Sequence, residues 1–170
     1  MGVTIHFEGR LRNTEAYDAV VNTVKHFAAD LGWEYEPIEE NVTKLKRVKN
    51  EEDWDYEGPV KGLVLQPHQN SEPLRFEFDS DLYLQEYTKT QFAPLETHIA
   101  IVQLLKIIEP YFEKLEVFDE GEYFKTQDQS ILKKHIDRCF EVLDEYLDQG
   151  DKYEGPVRLP SKRIVDVMEK

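Results

Sequence analysis

Residues 85–98, QEYTKTQFAPLETH, hold the side chains best suited to chemistry. They follow a strongly apolar run and lead into the most apolar helical pattern of the chain. Polar groups gathered between a strand end and a helix start are the usual setting of a binding crevice. Glu86, Tyr87, Thr90 and Gln91 come from the strand side, His98 stands one turn into the helix, and His68 and Glu72 come from a neighbouring hairpin. If these residues converge, His98 can act as a general base or ligand with Glu86 or Glu72 as its partner. If they do not, His98 reads as a core histidine between Leu95 and Val102.

Three other groupings call for the same weighing. Arg75, Glu77, Asp79, Asp81 and Tyr83 alternate along one apolar-backed run. Carboxylates on one strand face suit a hard divalent cation, but they equally suit the wet face of an antiparallel sheet. His135 and Cys139 stand four apart on a helical pattern and supply two ligands where zinc needs three or four, so no metal site is expected. Lys44, Lys46, Arg47 and Lys49 form a basic run, followed at once by Glu51, Glu52, Asp53, Asp55 and Glu57, which makes a mixed-charge surface.

The sequence has no glycine-rich phosphate loop, nucleophile elbow, zinc-protease helix or dinucleotide fingerprint, and no cofactor is expected. Lys plus Arg at 21 against Asp plus Glu at 35 gives a net charge of −14, which repels a phosphate backbone and admits a basic protein partner. The single cysteine, Cys139, excludes an intrachain disulfide and suits a reducing compartment, so a cytoplasmic location is expected. No apolar run is long enough to span a bilayer, and no membrane partner is expected.

The elements that must position these groups are legible in part. Val3, Ile5 and Phe7 alternate with polar neighbours as a half-buried strand. Val20, Val24, Phe27, Ala28 and Leu31 recur at helical spacing between Asn13 or Thr14 as cap and Gly32 as stop, predicting a helix over 14–31. Residues 33–38 and 42–48 read as two strand pieces or one bent edge strand, and 50–59 as an acidic loop. Residues 60–66 and 74–84 read as strands of a hairpin joined by the turn-rich PHQNSEP. From Leu95, Ile99, Val102, Leu105 and Ile108 mark a buried helix, ended near Pro110. A short strand follows over 115–118. Thr126 and Gln129 have capping-box spacing ahead of a helix whose apolar face runs from Leu132 to Leu147.

This order predicts an α+β fold: an antiparallel or mixed sheet of four to five strands with about three helices mainly on one face, a ferredoxin-like split βαβ with additions being the preferred topology. Residues 1–150 are expected to form a single domain and 151–170 a tail with a short turn of helix from Arg163. YEGPVK at 56–61 recurs as YEGPVR at 153–158, but the flanks differ, so two similar turns explain it without duplication. The expected function is a non-enzymatic acidic binding or interaction module. The alternative is a small enzyme or ligand-binding protein using the crevice around Glu86 and His98.

Overall fold

The computed structural model describes residues 2–170. The main elements are β1 (Thr4–Leu11), α1 (Thr14–Leu31), β2 (Glu34–Leu45), β3 (Val48–Lys49), β4 (Glu52–Asp53), β5 (Tyr56–Gln66), β6 (Leu74–Phe78), β7 (Tyr83–Lys89), α2 (Leu95–Ile108), β8 (Phe112–Asp119), α3 (Tyr123–Thr126) and α4 (Gln129–Leu147). Four two-residue strands end the chain: β9 (Tyr153–Glu154), β10 (Val157–Arg158), β11 (Ile164–Val165) and β12 (Met168–Glu169). β11 and β12 stand where a helical turn was expected, because the tail folds back on itself, β11 pairing with β10 and β12 with β9.

The fold is α+β, but the strands do not form one sheet of four to five. Two antiparallel three-stranded sheets occur instead, ordered β7-β1-β8 and β2-β5-β6. The split βαβ expectation fails for the same reason: β1 is antiparallel to both its neighbours, and β2, across α1 in the chain, belongs to the other sheet. Residues 74–84 are not one strand either. Asp79 takes the N–H groups of Asp81 and Tyr83 on one carboxylate oxygen and Leu82 adopts φ 61°, so the run turns back between β6 and β7. The alternating carboxylate face is thereby broken, since Asp79 is buried and held in the turn.

β6 and β7 are hydrogen-bonded only near their ends, from Asp79 N to Tyr83 O and from Glu72 N to Lys89 O. No ladder joins them between. A seam therefore opens along the hairpin, with Glu86 midway on its β7 side.

One apolar cluster underlies both sheets. Ile5 and Phe7 of β1 meet Val20 and Val24 of α1, Phe76 and Phe78 of β6, and Ile101, Leu104 and Leu105 of α2. The helix α2 is the most enclosed, as its wide apolar stripe requires. The cap of α1 is Asn13, whose side chain accepts from Ala16 N, and Gly32 ends it in the left-handed conformation. For α4 the cap is Asp128 rather than the Thr126–Gln129 box, because Thr126 is occupied as the last residue of α3. No helix among the described residues is long and apolar enough to cross a membrane.

Candidate functional site

The seven residues of the sequence-derived crevice separate into three places. Thr90 and His98 meet in the core: Thr90 Oγ1 lies 2.6 Å from His98 Nδ1, and His98 Nε2 lies 3.1 Å from Asp119 Oδ2. A carboxylate can only accept, so Nε2 carries a proton, and Nδ1 shares the second bond of the ring with the Thr90 hydroxyl. Burial pulls the Asp119 pKa upward, but the bond from His98 and the N–H groups of Phe124 and Gly121 outweigh it and hold it below the ordinary value. The order hydroxyl, imidazole, carboxylate is that of a nucleophilic triad. Here it serves as a clamp tying the ends of β7 and β8 to α2, since Thr90 is 1% exposed and His98 0%. Gln91 stands beside it, its side-chain oxygen capping Val3 N at 2.9 Å.

His68 lies in the loop before β6 and meets neither His98 nor Glu86. Its Nδ1 accepts from Asn70 N, and its carbonyl accepts from Gln66 and Ser71 side chains, so it shapes its own turn.

Glu72, Glu86 and Tyr87 do come together, along the seam, and a residue unmarked by sequence reasoning joins them. Arg163 of the tail stacks its guanidinium 3.8 Å from the Tyr87 ring centroid, donates to Tyr87 O at 2.8 Å, and reaches Glu72 at 3.4 Å and Glu86 at 4.0 Å. Glu72 is 2% exposed and also accepts the N–H groups of Lys89 and Ile164. Lys89 binds the tail through Ile164 O and Asp166. Arg158 donates to Gln69 O and Ser71 O. Burial, with Glu77 nearby, pushes the Glu86 pKa up to about 8 despite Arg163 and Arg75. The tail arginines carried one visible signal, a cationic pair in an acidic chain, but no periodicity tied them to β7.

A second surface lies on the outer face of the β7-β1-β8 sheet. Its side chains form three rungs fixed by the register: Tyr87, His6 and Phe118; Gln85, Glu8 and Glu116; Tyr83, Arg10 and Lys114. In the first, the His6 ring lies 5.7 Å from Tyr87 and 5.8 Å from Phe118, so Arg163, Tyr87, His6 and Phe118 make one stacked row across the sheet. In the second, Glu8 accepts from Tyr83 Oη and Gln85 Nε2. Burial and that bond raise the Tyr83 pKa. The hairpin β3–β4 overhangs this face, pinned by paired bonds between Gln85 and Val48. Beneath it are two adjoining cavities of about 390 and 480 Å³ that share Glu8, Val48 and Glu116.

The overhang is locked by Arg47. Its guanidinium sits 4.5 Å from the ring of Trp54, 5.2 Å from Tyr56 and 5.3 Å from Tyr83, and pairs with Asp79 at 3.0 Å. The basic run is therefore not a surface patch at this position. His135 pairs with Glu122, not with Cys139. Among the described residues no three His, Cys, Asp or Glu side chains gather as a metal ion requires.

The chain matches no known family model, and no curated protein or solved structure is significantly similar to it.

Proposed function

We propose that this chain is a non-enzymatic binding module that takes an extended segment of a partner protein along the open edge of β8 and the adjoining outer sheet face. The observation that carries the reading is the state of that edge. β8 pairs with β1 on one side only, and Phe118, at the end of the stacked row, is 67% exposed. An unpaired strand edge bearing a large apolar side chain is a template for strand addition, in which main-chain bonds give affinity and alternate side chains give specificity. Of the other three outer strands of the two large sheets, β6 and β7 face each other across the seam, and β2 is guarded by Pro37, Glu36, Glu39 and Glu40. β8 has no proline.

The partner segment is basic, because the whole chain carries −14 and on β8 Glu113, Glu116 and Asp119 outnumber Lys114, which pairs with Glu116. On this reading residues 1–150 are a single domain and 151–170 a tail docked on it. The buried state of Thr90 and His98 supports a packing role over a catalytic one.

Selection of extended peptides from a random display library tests the proposal. The expected result is basic peptides that slow amide exchange within residues 113–118 and lose binding to Phe118→Asp. Peptides that protect another surface, or that ignore Phe118→Asp, would overturn it.

A further inference from the structure

We infer that the seam between β6 and β7 is a binding pocket for an arginine side chain, filled in the resting chain by Arg163 and available to the arginine of a partner when residues 163–166 lift. The inference rests on the seam geometry and not on docking at β8.

The pocket offers what a guanidinium requires and an ammonium does not. The Tyr87 ring supplies a flat face at 3.8 Å, the Tyr87 carbonyl an acceptor at 2.8 Å, and Glu72 and Glu86 two carboxyl groups at the edges. A planar fork can stack and bond at once, whereas a lysine presents a point charge. Glu86 is 9% exposed and its carboxyl lies 4.0 Å from the Arg163 guanidinium, beyond hydrogen-bond reach, so the present occupant leaves that acceptor unused.

The occupant is also loosely held. Arg163 keeps a quarter of its side chain exposed and meets Glu72 only at 3.4 Å. The strands β10 and β11 that carry it to the seam are two residues each, so their opening costs far less than global unfolding. What closes the tail down is one buried apolar side chain, Ile164, and a handful of polar bonds: Ile164 N to Glu72, Lys89 to Ile164 O and Asp166, and Arg158 to the 69–71 loop.

The test is an amide NMR titration of full-length Arg163→Ala with N-acetyl-arginine amide, with N-acetyl-lysine amide at matched ionic strength as comparison. The expected result is saturable shifts at Glu72, Tyr87 and Ile164 with a midpoint of about millimolar order. The lysine compound should bind about ten-fold more weakly. The wild-type chain should need more ligand, because Arg163 competes, and Arg163→Ala with Glu72→Gln should lose the response. Should Arg163→Ala fail to fold, Arg163→Lys keeps the charge and stem while removing the fork, and the same titration applies. A folded variant without saturable shifts, equal response to both compounds, or equal affinity in wild type and variant would each overturn the inference.

Discussion

His98 and Asp119 meet 3.1 Å apart in a part of the core where the histidine has no exposure and the carboxylate almost none. Replacing the ring by an apolar side chain of similar size removes one bond from each of two buried groups: the Thr90 hydroxyl keeps only the Val3 carbonyl at 3.4 Å, and the Asp119 carboxylate keeps the N–H groups of Gly121 and Phe124. His98→Leu should therefore cost about 2 kcal/mol, the loss of a charge-assisted bond together with a weakened hydroxyl. Urea unfolding measures it. A loss under about 1 kcal/mol would mean that water reaches the clamp.

The clamp also shows where sequence reasoning stops. That His98 faces the core followed from its place between Leu95 and Val102 on an apolar stripe. Its partner did not follow, because Asp119 ends a strand whose pattern only marked 115–118, and the register of β8 on β1 brings it there. The first strand, α1 with its Asn13 cap and Gly32 stop, α2 and the β5–β6 hairpin were all legible, since each obeys one local period. The turn at 79–82 was not: the alternation from Leu74 to Leu84 runs on across it, and only the bonds to Asp79 reveal the reversal. Glu72, Glu86 and Tyr87 were marked by type, but the arginine that gathers them lies in a tail with no period.

Arg47→Ala and Asp79→Ala should both destabilise, by about 3 kcal/mol or more, because each leaves the other charge buried at 4% or 5% side-chain exposure. Asp79→Ala should be the worse of the two, since its second oxygen holds the turn through Asp81 N and Tyr83 N. A double-mutant cycle by denaturant titration checks the pairing: additive losses would show that the two charges do not depend on each other.

Glu86 makes the protein less stable as pH rises. Its folded pKa of about 8 exceeds the ordinary 4.5, so between those values the folded state holds a proton that the unfolded state has released. The contribution is fully present below about pH 4.5 and is lost by about pH 8. Glu77, Arg75 and Arg163 are the charges that face it. Glu86→Gln removes the titration and should gain about 3 kcal/mol relative to wild type at pH 7.5 compared with pH 5. Thermal unfolding at the two pH values reads this difference, and a pH-independent one would place Glu86 in water.

Gly62→Ala should be severe. Gly62 pairs with Glu77 across β5 and β6 at φ 147°, and a Cβ there would collide with the Phe76 carbonyl, which is backbone and cannot swing away. The expected cost exceeds about 3 kcal/mol, combining strain with a broken strand pair. Circular dichroism melts would detect it. A near-wild-type melting temperature would require β5 and β6 to have moved apart.

The order of strands sets a clock for folding. β1 is central in its sheet, yet Thr4 waits for Lys89 and Ile5 for Asp119, so a strand made before its partners is among the last to be paired. The β5–β6 hairpin and the β2–β5 pair join nearer neighbours and close earlier, at smaller cost in loop entropy. During synthesis the strand that carries Val3, Ile5 and Phe7 to the core therefore lacks its sheet partners until β7 and β8 have emerged. That interval is when a chaperone would find this protein, and when crowded expression would lose it to aggregation.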